Sequence, residues 1–269
     1  MKRFIKLFIL LIAVGVIAWV IWANTALESN AYIVRETNLP SGFDGFVIAH
    51  ITDFHSQKRM IKSVIQMLKD APPDIICITG DLLDSRSKDV DAAIDFARQA
   101  AEIAPCYYVT GNHEARVSED LRNTLLEQLA ACGVTLLNDR EVILERNGSH
   151  ISLAGHFWGK TDNVGSISQF DGYRILLSHQ PESFDDYAAG NYDLVFTGHT
   201  HGGQFCLPFV GGVYAPGQGL FPQYDAGLFS EGSTDMIVSR GIGNSSFPLR
   251  FNNRPEVIFA ALKCLTPVT

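Results

Sequence analysis

Five short runs of apolar, largely β-branched residues punctuate the middle of the chain. They are Phe46-Val47-Ile48-Ala49-His50-Ile51, Ile75-Ile76-Cys77-Ile78-Thr79, Tyr107-Tyr108-Val109-Thr110, Ile175-Leu176-Leu177 and Leu194-Val195-Phe196-Thr197. Such continuous runs read as buried strands. Helical patterns follow the second and third of them. Val90, Ala93, Ile94 and Ala97, then Leu121, Leu125, Leu126 and Leu129, repeat at three- and four-residue spacing, which gives each helix one apolar face for a sheet. Ser118 stands where an N-cap is needed, with Glu119 and Asp120 favourable in the first turn. Strand and helix alternating across residues 46–137 imply right-handed crossovers and a mainly parallel sheet. From Val142 the pattern changes. Val142-Ile143-Leu144 and Ile151-Ser152-Leu153 flank Asn147-Gly148, a hairpin signal that predicts a second, more antiparallel sheet. No internal repeat or low-complexity tract interrupts the chain.

The amino terminus has another pattern. Phe4 to Trp22 carries Lys6 as its one charge, follows Lys2 and Arg3, and is uncharged from Leu7 onward to Ala23. At 1.5 Å per residue this segment is ~28 Å long, close to the hydrocarbon thickness of a bilayer, and Trp19 and Trp22 stand where an aromatic belt would lie. A cleaved signal peptide would show small residues in an A-x-A arrangement, which Ala23-Asn24-Thr25 and Asn24-Thr25-Ala26 match poorly. The segment is therefore expected to be an uncleaved, single-pass anchor over residues 4–22. Residues 23–45 would be a linker and first strand region, and residues 46–265 the globular domain. Basic residues before the segment and none until Arg35 after it place the start in the cytoplasm and the domain on the outer face of a bacterial inner membrane.

Composition narrows the partners. The 269 residues carry a formal charge of −8, and no Lys/Arg cluster lies beyond the first six residues, so long nucleic acids are not expected partners. Five cysteines, without close pairing, offer no disulfide framework and leave at least one free thiol.

The ends of the apolar runs carry the chemistry. Behind them come Asp53-Phe54-His55, Gly80-Asp81, Gly111-Asn112-His113-Glu114, Ser178-His179 and Gly198-His199-Thr200-His201. In an α/β sheet the functional crevice lies outside the carboxyl ends of the strands, so five such loops bring oxygen and nitrogen ligands to one place. Singly each is an ordinary polar turn. Together, in this order, the pieces resemble the calcineurin-like metallophosphoesterases, whose recurring pattern is D-x-H, G-D, G-N-H-D/E, a single His and G-H-x-H. Gly202-Gly203-Gln204, Gly241-Ile242-Gly243-Asn244 and the stretch from Arg250 to Glu256 are similar to a membrane-associated bacterial branch. Ser56-Gln57-Lys58 departs from the Gly that many relatives carry after the first His.

The resemblance implies a four-layer α/β/β/α sandwich behind the transmembrane helix, and a site with two divalent ions. One ion would be held by Asp53, His55, Asp81 and His201, the other by Asp81, Asn112, His179 and His199. The shared Asp81 carboxylate would offset the repulsion between cations roughly 3.5 to 4 Å apart. Imidazoles mixed with carboxylates and an amide oxygen favour Mn, Zn or Fe over Ca or Mg, and no thiolate is present for a structural zinc. Asn112 and His113 would be the catalytic pair, His113 as general acid or transition-state stabiliser. Glu114 would orient His113 or a metal-bound water. His50 and His156 fall outside the pattern.

Arg250 and Arg254 are candidates for gripping a substrate phosphate. The aromatic stretch from Phe205 to Ser230 is expected to line the site, rest on the membrane or pack on its own core. The reading is a membrane-anchored phosphoesterase acting on phosphodiester or pyrophosphate bonds, with an amphiphilic lipid-linked or UDP-sugar substrate in view. A tethered metal-binding domain without turnover is the alternative, disfavoured by the intact Asn112-His113 pair. No H-E-x-x-H occurs to suggest a zinc peptidase.

Overall fold

The computed structural model describes residues 2–159, 164–244 and 249–265. The chain opens with α1 (Lys2–Thr25), enters β1 (Glu28–Glu36) and β2 (Val47–Ile51), and continues through α2 (Lys58–Asp70), β3 (Ile75–Thr79) and α3 (Val90–Ala101). β4 (Cys106–Val109), α4 (Asn112–Arg116), α5 (Glu119–Ala131) and β5 (Thr135–Leu136) complete the first half. Then come β6 (Arg140–Arg146), β7 (Ser149–Gly155), β8 (Arg174–Leu177), α6 (Phe184–Ala189) and β9 (Leu194–Thr197). Two small hairpins follow, β10 (Cys206–Leu207) with β11 (Gly211–Gly212) and β12 (Tyr214–Ala215) with β13 (Gly219–Leu220). β14 (Gly227–Glu231), β15 (Thr234–Val238) and β16 (Glu256–Cys264) close the fold.

Two six-stranded sheets result, in the orders β1-β16-β2-β3-β4-β5 and β14-β15-β9-β8-β7-β6. In the first, β2 to β5 run parallel, as the alternation of strand and helix predicts, while β16 runs antiparallel to β2 and parallel to β1. The second sheet differs from expectation. Its centre, β15, β9, β8 and β7, is parallel, and the edge pairs β6–β7 and β14–β15 alone are antiparallel. Connection length explains this, because a tight turn forces antiparallel pairing whereas the long segments after β7 and β9 allow a crossover. At the β6–β7 turn Asn147 and Gly148 have φ of 53° and 73°, the left-handed pair that an Asn-Gly hairpin requires.

Period-two side-chain alternation builds the layers. In β3, Ile76 and Ile78 face α2, α3 and α5, where Val64, Leu68, Phe96, Leu125 and Leu129 are buried. Ile75 and Cys77 face the other way, into a core shared by both sheets with Ile175, Leu177, Phe196 and Ile258. Leu176, Val195 and Met236 cover the outer face of the second sheet beneath α6, with Phe184 and Tyr187. The order is thus helix, sheet, sheet, helix. Asp89 caps α3 by accepting from Ala92 N at 3.1 Å, and Ser118 caps α5 by accepting from Leu121 N at 3.4 Å. All five cysteines are free thiols.

α1 stands apart from these layers. It is long and apolar enough to cross a membrane, and of its residues Ala23 alone is buried. β1 follows it directly and pairs along nine residues with β16, so the helix is tied to the sheet by a short, ordered connection.

Candidate metal centre

β2, β3 and β4 are parallel, as are β8 and β9, so the turns that follow them project from the same ends of the two sheets. Those turns are unusually bent. Asp53, His55, Asp81, His199 and His201 all have positive φ, between 49° and 72°. A side chain other than Gly held there costs ~1–3 kcal/mol, and such strain concentrates where a site over-determines the backbone. Close approach of the loops demands glycine as well. A Cβ at Gly111 would collide with the Asp81 carboxylate, and one at Gly198 with Thr52 and Asp53.

Among the described residues metal-ligating atoms gather in three groups, one joining His55 with Asp84 and His113 and two built on Asp53 and on Asp81. Asp53, His55 and His201 make one: Asp53 Oδ1 lies 3.6 Å from His55 Nε2 and 3.3 Å from His201 Nε2, and those two nitrogens are 3.3 Å apart. Asp53 Oδ2 accepts from His199 N and Thr52 Oγ1, both at 2.9 Å, whereas buried Oδ1 has no protein donor among the described residues. Asp81, His179 and His199 make the second, with Asn112 beside them. Asn112 Oδ1 lies 3.3 Å from His179 Nε2, 3.3 Å from Asp81 Oδ2 and 2.8 Å from His199 Nδ1. Hydrogen bonding alone would turn this amide over, since the oxygen meets only acceptors. A cation reverses the preference, because converging lone pairs are then ligands, and the inward oxygen is the orientation a metal needs.

The two clusters meet at one atom. Asp81 Oδ1 accepts from His113 N at 2.7 Å, which leaves Oδ2 facing both groups, 3.7 Å from His55 Nε2 and 3.4 Å from His179 Nε2. His179 donates Nδ1–H to Thr79 O at 2.7 Å, and this fixes the tautomer that turns the Nε2 lone pair into the crevice. The electrostatics of the bare donor set call for positive charge. Burial would lower the His179 pKa, yet the Asp81 and Asp53 carboxylates carry it up to about 10. Burial dominates at His199 and His201, driving the first to about 3 and the second well below the usual range, so both are neutral donors at physiological pH. Mixed carboxylate and imidazole donors with an orphaned buried oxygen suit divalent transition metals.

His113 lies beside this pair. Its Nε2 is 3.9 Å from Asp81 Oδ2, and its Nδ1 accepts from Ser85 N at 3.0 Å, with Asp84 Oδ1 3.5 Å away. Asp84 is partly desolvated, but the adjacent His113 ring and hydrogen bonds from Arg86 hold it well below the usual carboxylate range. Asp84, absent from the sequence-derived set, could have been found as the second Asp of Gly80-Asp81-Leu82-Leu83-Asp84. Glu114 contacts neither His113 nor the crevice as expected. It accepts from the backbone N–H groups of Asp81 (3.0 Å), Leu83 (2.9 Å) and Gly111 (2.8 Å), tying two loops together.

The two arginines separate. Arg250 is buried behind His201: Nε donates to Asn244 Oδ1 at 2.9 Å, and Nη2 donates to Gly243 O and lies 3.4 Å from His201 Nδ1. Arg254 is not brought to the centre. It donates to Ala26 O (3.0 Å) and Leu27 O (3.1 Å) and covers the Trp22 ring at 4.7 Å, because the short link between α1 and β1 exposes carbonyls that need a donor. Two residues that sequence reasoning missed line the crevice instead. Exposed Arg116 has Nη1 3.0 Å from the outer end of the Asn112 amide, and Trp158 packs on His199 and His179 with centroids 4.8 and 5.3 Å away. Arg116 directly follows the Gly-Asn-His-Glu-Ala stretch; Trp158 has no motif to mark it. His50 lies deeper, with Nε2 2.7 Å from Thr79 Oγ1.

Comparison with known proteins agrees with this geometry. Residues 46–203 match the family model described as calcineurin-like phosphoesterase. The chain is 30% identical over 251 residues to the uncharacterized metallophosphoesterase YkuE of Bacillus subtilis, covering 88% of this chain and 86% of that protein. It is 30% identical over 224 residues to phosphodiesterase YaeI of Escherichia coli, covering 81% and 82%. A transmembrane protein with metallophosphoesterase domain from Bos taurus is 28% identical, covering 81% of this chain and 53% of its own length. The chain belongs to the calcineurin-like phosphoesterase family, hydrolases of phosphoester bonds.

Proposed function

We propose that this protein is a membrane-anchored, dinuclear phosphoesterase that cleaves phosphodiester or pyrophosphate bonds in amphiphilic substrates. The observation that carries the reading is Asp81 Oδ2, a single oxygen faced by ligand atoms of both clusters. Asp53, His55 and His201 would hold one cation, Asn112, His179 and His199 the other, and Asp81 both; Mn, Zn or Fe suits such donors. When bound, the pair supplies Lewis-acid polarisation of the phosphoryl group and a lowered pKa for water.

The chain's own groups position the reaction. With Ser85 N–H donating to Nδ1, neutral His113 carries its proton on Nε2, the nitrogen turned toward the cluster. That N–H stabilises charge building on a phosphoryl or leaving oxygen. When the ring is doubly protonated, Asp84 accepts from Nδ1 and the Nε2 proton is transferable to the departing oxygen. Arg116, exposed at the mouth beside Asn112, is placed to grip a substrate phosphate, the role the sequence suggests for Arg250 and Arg254. Arg250 braces His201 from behind. α1 is the anchor, with Lys2, Arg3 and Lys6 on the cytoplasmic side and the domain outside.

The test is metal removal and restoration on the purified full chain, assayed against diesters, pyrophosphates and monoesters. Turnover should vanish with chelator and return as the second metal equivalent binds, with diesters or pyrophosphates preferred. Two bound equivalents without turnover of any substrate would leave a metal-binding domain and sink the reading.

A further inference from the structure

We infer that the β10–β11 hairpin and the neighbouring Leu220-Phe221 corner sit in the lipid leaflet from which α1 emerges, so that the metal crevice opens at headgroup level. The inference rests on the reading of α1 as a spanning anchor and adds a second membrane contact to it.

The hairpin is built for an apolar surrounding that the protein does not supply. Leu207, Phe209 and Val210 form its tip, and Phe209 is 109% exposed at a φ of 67°, a left-handed conformation that costs a Phe ~1–2 kcal/mol. Leu220 and Phe221, 69% and 61% exposed, lie on the next hairpin and the residue after it. Single exposed apolar residues need no explanation, but two adjacent loops that present them together mark a surface meant for an apolar partner.

Position identifies that partner. The base of the hairpin is fixed on Phe251, because Cys206 N donates to Phe251 O at 2.9 Å and the Phe205 and Phe251 rings stack 6.5 Å apart. Phe251 in turn packs edge-on against Trp19 of α1, with centroids 4.9 Å apart. The anchor and the hairpin therefore share a neighbour. The span has no slack: Phe4 to Trp22 rises ~28 Å, and the hydrocarbon core is ~30 Å thick. To cross it, α1 must be immersed up to Trp19 and Trp22, which draws Phe251 to the boundary and the tip beside it into lipid. Arg254 over Trp22 and Asn24 on the Arg250 backbone mark where polar groups resume. Since β10 begins five residues after His201, the crevice lies beside this contact. A phosphoester whose acyl chain stays in the leaflet can reach it without leaving the membrane.

The full chain in bilayer nanodiscs tests this with a fluorescent amino acid placed at position 209 by codon suppression, and separately at Lys263. Lys263 pairs with Arg35, ~23 Å along β1 from its first residue, Glu28, and serves as the aqueous control. Lipids brominated in mid-chain should quench the probe at 209 at least about twofold, as deeply as Trp19 and Trp22, and leave position 263 unchanged. Quenching of Trp19 and Trp22, read in a Trp158→Phe background, without quenching at 209 overturns the inference while the spanning anchor stands. No quenching of either means that α1 does not span, and the inference falls with it. A blue-shifted but unquenched probe at 209, as a second copy of the chain seated on the hairpin would give, also overturns it.

Discussion

Replacing Glu114 should separate the scaffold of this centre from its chemistry. The buried carboxylate accepts from Asp81 N and Gly111 N through Oε2 at 3.0 and 2.8 Å, and from Leu83 N through Oε1 at 2.9 Å. It thereby pins the turn carrying Asp81 to the turn carrying Asn112. Glu114→Gln offers one oxygen, which can replace Oε2 and keep two of these bonds, but it directs an NH2 at Leu83 N–H. One stranded donor costs ~1–3 kcal/mol, and the two remaining bonds weaken on losing charge assistance. Against this, burial and the Asp81 carboxylate raise the Glu114 pKa, so a neutral amide escapes part of the cost of a buried charge. The net loss should be ~2 kcal/mol. Glu114→Ala strands three donors and leaves a cavity, for ~4–7 kcal/mol, a large part of a domain's whole stability.

Guanidinium unfolding of the full chain in detergent, with chelator present so that metal linkage does not mask the difference, measures both values. Calorimetric titration of each variant should show weakened binding at both metal positions, because both loops lose their brace. If the Gln and Ala variants unfold within about 0.5 kcal/mol of each other, the three bonds are not what hold the loops, and the reasoning fails.

Three further outcomes are expected. Asp81→Ala should lose both metals and His55→Ala mainly one, by elemental analysis; two full equivalents on Asp81→Ala would end the shared-oxygen assignment. His113→Ala should keep its metals yet lose ~10²- to 10⁴-fold in rate, and less with p-nitrophenyl than with alkyl leaving groups, whereas equal losses would count against proton donation. Glu36 is pushed up to about 7, first by burial and then by Asp235 and Asp193. Its folded pKa lies above its unfolded one, so its contribution is present below about pH 4.5 and lost as pH rises through 7. Glu36→Gln should therefore raise stability at pH 8, on the order of 1 kcal/mol after discounting for solvent screening, with no gain at pH 4. An equal gain at both pH values, measured by denaturant midpoints, would refute the assignment.

What the sequence made legible follows from how locally each feature is determined. β3 and β9 coincide with their apolar runs, because short runs buried on both faces suit a strand, and the Asn147-Gly148 turn is specified by two residues alone. The parallel centre of the second sheet was hidden, because strand direction there depends on where long connections return. α2 was also not singled out, although Met60, Ile61, Val64, Ile65 and Leu68 form one buried face, because charged residues interrupt its apolar positions. At the centre, motif spacing finds residues that the chain presents in order, such as His199 and His201. It cannot distinguish Arg250, folded back on His201, from Arg254, spent on the carbonyls of Ala26 and Leu27. Those two arginines lie four positions apart, and their partners alone separate them.

The same loop ties α1 to the site. Asn24, at the end of α1, accepts from Arg250 N at 2.7 Å through Oδ1 and donates to Arg250 O at 3.1 Å through Nδ2, as a paired strand would. Both ends of that backbone unit are held by one side chain of the helix, and the guanidinium beyond it reaches His201 Nδ1. Removing the helix would free a peptide unit whose side chain packs against His201, a candidate ligand. Each lost bond is modest, ~0.5–1.5 kcal/mol where water can replace it, but the consequence is positional. A ligand must be held within about half an ångström of its productive geometry, and Arg250 is the fully buried group behind His201. α1 thus helps to fix the shape of the candidate site, and a fragment lacking it would lose that support.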